Sequence, residues 1–211
     1  MRRFLLPDGI DEAARTIRSG GVVAFPTDTV YGVGVDPRNP MALRRLYTIK
    51  GRDAEKPIPL LLSDANVLPR VSSAASRLAR RLATAFFPGP LTLVVPLSAA
   101  FPSELNAGRN TVGVRVPDHD AARALIDACG GFLAVTSANL SGQPPATTAD
   151  EVADALGERI DLLLDGGRTV GLVPSTVLDT TCDPPRILRY GAVSREELAD
   201  FFRRVRQSRT R

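Results

Sequence analysis

The sequence predicts an α/β fold: a twisted mixed sheet with flanking helices, on three observations. Short apolar runs bounded by Gly, Pro or polar clusters recur from Val22 to Tyr190, with amphipathic stretches of helical spacing between several of them. Some of these runs stand too close together for a crossover helix, so antiparallel neighbours are expected beside parallel ones. A chain of 211 residues, 44% hydrophobic and 24% charged, suits one globular domain with a substantial core.

The elements follow in order. Residues 8–19 read as a helix, with Asp8 able to cap it and Ser19-Gly20-Gly21 ending it. Val22 to Phe25 reads as a buried strand stopped by Pro26, and Thr27 to Val35 passes from a polar turn into a Gly-containing extended stretch. Residues 40–49 form a helix that delivers Lys50-Gly51-Arg52, and a polar loop through Lys56 leads to a strand from Pro57 to Leu62. A helix over 72–86 stops at Pro88-Gly89-Pro90, and strands Leu91–Leu97 and Val112–Val116 flank the polar loop 106–111. Residues 119–129 are helical, and the strand Phe132–Val135 runs into Thr136-Ser137-Ala138-Asn139 and a loop, Ser141 to Pro145, that is expected to be mobile. Thr148 with Glu151, and Ser194 with Glu197, make capping boxes for the last two helices. Between them lie strands at Asp161–Asp165, Ser175–Asp179 and Arg186–Tyr190.

The domain is expected over 1–202, followed by a basic, solvated tail over 203–211. Removing the five arginines of that tail leaves 22 basic groups against 23 acidic ones, so the net charge of +4 is a tail property. A near-neutral body argues against nucleic-acid binding as the main role, because phosphate-dominated binding needs many cations. No apolar run approaches a membrane span, and Phe4-Leu5-Leu6 is too short for a signal core, which points to a cytoplasmic protein without a membrane partner. Two distant cysteines and one histidine exclude a zinc site, a disulfide framework and a Ser-His-Asp triad, and no protein-held metal is expected. His119 reads as a surface residue near a helix cap.

Candidate chemistry lies in scattered segments. Of 27 basic residues only Lys50 and Lys56 are lysines, both within one seven-residue stretch. No Walker-type loop is present, and Gly32-Val33-Gly34 lacks the third glycine of a dinucleotide fingerprint, so any phosphate site is assembled from separate pieces. Lys50 and Arg52 flank a glycine: in an extended or looped segment they project to one side and grip phosphate oxygens, while the bland alternative is a solvated turn. Ser137-Ala138-Asn139 stands at the C-terminal end of a strand, where α/β folds bind ligands, or is an ordinary polar turn. Arg115 either faces solvent or reaches into a cleft to clamp an anion. Thr27, Thr29 and Tyr31 alternate and either line a wall or satisfy backbone.

Taken together, these stretches resemble the YrdC-like family, the threonylcarbamoyl-AMP synthases of tRNA modification. The matching pieces are Gly20 to Gly32, Lys50-Gly51-Arg52 with Lys56-Pro57, Pro88 to Thr92, Val114 to Pro117, Ser137-Ala138-Asn139, Ser175-Thr176-Val177 and Leu188 to Gly191, covering about 8–202. The resemblance implies a concave sheet around a central cavity, and a reaction in which L-threonine, bicarbonate and ATP, with Mg²⁺, give L-threonylcarbamoyl-AMP and pyrophosphate. A partner tRNA threonylcarbamoyl-transfer complex then modifies adenosine 37. It implies Lys50, Arg52, Lys56, Thr111, Asn139, Thr147 and Arg189 as ATP contacts, with Lys50 and Arg52 as catalytic cations. Thr29 (preferred over Thr27), Tyr31, Arg115, Ser137 and Ser175 are implied as L-threonine contacts, Arg115 on the carboxylate. Some members carry a histidine where this chain has Leu60-Leu61-Leu62, so one threonine contact is expected to be missing. The short, single-domain type is implied. The rival readings are a paralogue of the same fold acting on another substrate and a double-stranded RNA or ribosome-binding module.

Overall fold

A computed structural model describes residues 1–171 and 173–207, and among them ten strands form one mixed sheet. The strands are β1 (Arg2–Leu5), β2 (Val23–Phe25), β3 (Gly32–Val35), β4 (Leu60–Leu62), β5 (Leu91–Pro96), β6 (Thr111–Arg115), β7 (Phe132–Ser137), β8 (Leu162–Asp165), β9 (Thr176–Asp179) and β10 (Arg186–Arg189). The helices are α1 (Ile10–Arg18), α2 (Pro40–Lys50), α3 (Leu68–Val71), α4 (Arg77–Phe86), α5 (Asp120–Ala128), α6 (Ala149–Leu156) and α7 (Arg195–Gln207). Across the sheet the order is β1-β8-β2-β3-β7-β4-β6-β5-β9-β10. The pairs β1/β8, β8/β2, β4/β6 and β5/β9 are parallel and the others antiparallel, so the mixed sheet expected from the spacing is present.

Local chemistry sets the element ends. Asn39 Oδ1 accepts from the amides of Met41 and Ala42, capping α2, and Gly51 ends it in the left-handed region at φ 55°. Thr148 caps α6, and Ser194 and Glu197 cap α7 reciprocally. His119 is itself the cap of α5, its Nδ1 accepting from Ala122. Three expectations shift. The cap of α1 is Gly9 rather than Asp8. The helix expected over 72–86 begins at Arg77, where Ser76 caps it, because 72–76 turns away from α3. Residues 2–5 form an unexpected edge strand, exposed throughout and held by its parallel pairing to β8. The first residues of the expected tail continue α7 to Gln207, and 208–211 lie outside the described residues.

Alternation along each strand divides the sheet into two faces. On the first face α2, α4, α6 and α7 bury Leu43, Leu46, Leu82, Leu156 and Phe201 against Val33, Leu60, Leu93, Val112, Val114 and Leu163. On the second face α1 and α5 bury Ile17, Leu125 and Ile126 against Phe25, Leu61, Leu133, Leu162 and Leu164, and no residue of β5, β6, β9 or β10 belongs to that cluster. The second face of those four strands is therefore left without a helix. It carries Thr92 and Val94, Thr111, Gly113 and Arg115, and Val177 and Asp179, and these line two cavities.

The face assignment is testable by denaturation. Leu93→Ala, which opens a hole in the first-face core, is expected to cost about 2–5 kcal/mol. Its neighbour Val94, on the cleft face, is expected to cost well under half of that as Val94→Ala. Equal costs would place both residues in one core.

Candidate active site

The inner cavity, about 300 Å³, is built where α1 and α5 leave off. After the Pro26 stop the chain turns tightly: Thr27 Oγ1 donates to the Val30 carbonyl (2.7 Å) and accepts from the Thr29 amide (3.2 Å). The two threonine hydroxyls lie 3.1 Å apart and both residues line the cavity, so alternation does not separate them. Gly32 then starts β3 against β7, and a Cβ there would stand 2.7 Å from Val135 Cγ1. This close approach brings Ser137, at the end of β7, onto the same wall.

Arg115 ends β6 and is only 7% exposed. Nε donates to the Gly89 carbonyl (3.0 Å), Nη1 to Thr29 Oγ1 (3.3 Å) and Nη2 to Asp28 Oδ2 (2.5 Å). Of five guanidinium N–H groups this leaves two for an anion in the cavity it lines. Asp28, which the sequence reading missed, fixes the fork, and its buried Oδ1 has no hydrogen-bond partner. Tyr31 lines the cavity, but its fully buried phenol donates to the Gly167 carbonyl (2.7 Å) and accepts from the Gly166 amide (3.2 Å). Burial pushes its pKa up, which keeps it neutral. Leu61 is the member of the leucine run that lines this cavity.

At the junction Ser175 Oγ lies 2.8 Å from Thr92 Oγ1, and Arg189 Nη2 donates to the Ser175 carbonyl (2.8 Å) and hydroxyl (3.1 Å). Gly191 permits this fold-back: a Cβ there would stand 2.2 Å from the Pro174 carbonyl oxygen. Pro59, Thr92, Ser175 and Arg189 also line an outer cavity of about 440 Å³, so the two form one cleft. Thr111 lines the outer part, with Arg109, Asp179 and Arg186, which the sequence reading did not single out. Burial, and the charge of Arg115, pull Arg189 below the ordinary guanidinium value.

The Lys50-Gly51-Arg52 step does not work as expected from an extended segment. Lys50 is the last residue of α2 and Gly51 is left-handed, so the two side chains diverge. Half-buried Arg52 reaches the inner cavity, with Nε on the Lys56 carbonyl (3.0 Å) and Nη2 on the Pro57 carbonyl (2.9 Å). Lys50 is 2% exposed and lines neither cavity. Its ammonium donates to the carbonyl of Ser137 (2.5 Å), the carbonyl of Asn139 and Asn139 Oδ1 (3.1 Å). Burial above all, and then the charge of Arg52, push it down to about 8. Asn139 also turns away from the cleft, its amide donating to Leu140 and Gln143 carbonyls (2.8 and 2.6 Å). Lys50 and Asn139 brace the turn behind Ser137. Exposed Lys56 lines neither cavity, and nor does Thr147, whose hydroxyl is held between Glu151 and Arg168.

Residues 15–191 match the family profile Sua5_yciO_yrdC, described as telomere recombination. The threonylcarbamoyl-AMP synthase of Pyrococcus abyssi is 40% identical over 92% of this chain and 57% of its own length. That of Bacillus subtilis is 41% identical over 90% of this chain and 55% of its own. The chain thus spans little more than half the length of these two relatives. A crystal structure of P. abyssi Sua5 complexed with L-threonine superposes with a TM-score of 0.89 at 38% identity, over 94% of this chain and 59% of that one.

The buried ammonium gives a proton-linkage test. Its folded value of about 8 lies below the ordinary 10.5, so between these pH values the unfolded chain holds a proton that the folded chain has released. Linkage then raises stability with pH across that window. Wild type should gain on Lys50→Met as pH rises from 8 to 10.5 in paired denaturation curves; parallel curves would show that the ammonium is not shifted.

Proposed function

The chain belongs to the Sua5/YciO/YrdC family, and from that premise we propose that it makes L-threonylcarbamoyl-AMP and pyrophosphate from L-threonine, bicarbonate and ATP. The product would serve threonylcarbamoyladenosine formation at position 37 of tRNA, in the cytoplasm, through a partner transfer complex. One observation carries this reading: Arg115 is held by Asp28, Thr29 and Gly89, keeps two N–H groups outside those bonds, and lines a small hydroxyl-lined cavity that opens at Ser175 and Arg189 into a larger one. An amino acid fits the first and a nucleotide the second.

The chemistry suits this inventory. The amine of L-threonine and bicarbonate condense to a carbamate with loss of water. A carbamate oxygen then attacks the α-phosphorus of ATP, the bond from that phosphorus to the bridging oxygen breaks, and pyrophosphate departs with the electron pair. The carbamate is the nucleophile, so the protein's task is alignment and charge neutralisation. Arg115 holds the carboxylate, with Thr29 and Ser137 beside it and Arg52 on the same cavity, while Arg189 meets the α-phosphate at the junction. Lys50 acts at one remove, by fixing the backbone that carries Ser137. Among the described residues no group of three His, Cys, Asp or Glu side chains could cage a metal ion. Mg²⁺ bound with ATP would supply charge neutralisation on the phosphates.

Arg2, Arg3, Arg15, Arg38, Arg44 and Arg45 are each paired with an acid, which reduces the free cations on which the RNA-binding rival can draw.

Pyrophosphate release from ATP and bicarbonate is expected to depend on L-threonine, and release without it would sink this reading. Arg115→Ala alone strands Asp28, so the double variant Asp28→Asn/Arg115→Ala is the one to assay. Loss of a charge-assisted contact should raise KM for L-threonine by roughly 10- to 100-fold with KM for ATP little changed. A change confined to ATP would assign Arg115 to the nucleotide.

A further inference from the structure

We propose that the outer cavity reads the nucleotide base and that Asp179 selects adenine. The inference rests on the adenylation reading above and adds the residue that discriminates among nucleotides.

The sheet register supplies the geometry. Thr92 and Arg189 both stand opposite Val177, forming the row at the junction of the two cavities. The next row outward runs Gly113, Val94, Asp179, Arg186, each directly opposite the next across four strands, and all four line the outer cavity. Two residues of strand advance about 6.6 Å, which is about the reach of a ribose between α-phosphate and base. A nucleotide with its α-phosphate at Arg189 and Ser175 thus lays its base on the outer row.

The chemistry of that row fits a base better than a polyphosphate. Gly113 keeps the floor low: a Cβ there would press on Thr92 Cγ2 at 3.1 Å. Val94, Val177 and the half-exposed Leu188 add apolar surface that phosphates cannot use. Asp179 would repel phosphate, and the cationic Arg52 side of the cleft is the better exit for pyrophosphate. The Asp179 carboxylate is oriented, since Oδ1 accepts from the Thr181 amide (2.9 Å) and hydroxyl (2.6 Å). No ion pair joins Asp179 to Arg186 across the register among the described residues, so Oδ2 and the planar guanidinium both remain available to a ligand. An ionised carboxylate only accepts. It therefore pairs with the exocyclic amine of adenine at position 6, where guanine and hypoxanthine present a carbonyl and carry their nearest donor on N1 instead. The guanidinium of Arg186 can stack on the base.

The test compares ATP with ITP, which exchange the 6-amine for a carbonyl and move a donor hydrogen to N1, in L-threonine-dependent pyrophosphate release. Wild type is expected to favour ATP by roughly 100-fold in kcat/KM. Asp179→Asn keeps an acceptor for Thr181 and gains a donor, and should shrink the preference to within about tenfold with KM for L-threonine unchanged. Arg186→Ala should raise KM for both nucleotides alike. Equal use of ATP and ITP by wild type, or an unchanged ratio in Asp179→Asn, would overturn the proposal. Calorimetric titration of AMP against IMP, which needs no turnover, separates this inference from the reaction. A preference for AMP that Asp179→Asn abolishes supports the base site even if no pyrophosphate is released, and no preference in wild type overturns it even if pyrophosphate is.

Discussion

The cleft exists because two helices cannot cover ten strands. Strands repeat about every 4.8 Å across a sheet and packed helices about every 10 Å, so two helices cover roughly four or five strands. On the second face α1 and α5 reach from β8 to β4 and stop. Beyond them the sheet presents every second residue of β6, β5, β9 and β10 to a concave surface, while the alternate residues remain core on the first face, where α2, α4, α6 and α7 lie. One strand thus serves two purposes: Val112 and Val114 hold the fold, and Thr111 and Arg115 face the cleft. Functional side chains on a well-packed sheet keep their relative positions without dedicated loops.

Two buried cations are handled in different ways, and the difference explains which residue type stands where. Arg115 makes a carbonyl, a hydroxyl and a carboxylate bond in one plane, which only a fork can do. Lys50 meets three oxygens converging from a single turn, which suits a compact ammonium with rotatable donors. In a chain that otherwise uses arginine almost throughout, that geometry gives a reason for a lysine at this position. The cost of burial appears in the ammonium's lowered affinity for its proton, whereas the fork of Arg115 has Asp28 as counter-charge.

Much of this was legible in the sequence. Apolar runs placed β2, β4, β5, β6, β7 and β8, and the polar residues interrupting them, Arg115 and Ser137 among them, line the cleft. The edge strand β1 was not legible, because its residues are exposed on both sides and only pairing with β8 makes it a strand. The orientation of Lys50 was not legible either. The two-residue spacing to Arg52 suggests one side for an extended or looped segment, but Lys50 is the last residue of a helix and Gly51 takes the left-handed conformation that ends it. Asp179 and Arg186 could have been found, since a hairpin across Cys182-Asp183-Pro184-Pro185 sets them opposite each other, but neither matched a motif.

The charge balance of the cleft indicates what kind of ligand completes it. Arg115 has a carboxylate partner, but Arg52 and Arg189 bond only to carbonyl and hydroxyl oxygens among the described residues. Burial lowers the pKa of both guanidiniums, and for Arg189 the neighbouring charge of Arg115 lowers it further. Dipoles orient a guanidinium without supplying a counter-charge; Asp53 favours the charged form of Arg52, and an anion near Arg115 and Arg189 would weaken the repulsion between those two. A carboxylate on Arg115 would ease its repulsion of Arg189 but give neither Arg189 nor Arg52 a contact of its own. An anionic group at the junction would meet Arg189, so the electrostatics of the cleft leave a place for a second anion beside the one that Arg115 can hold.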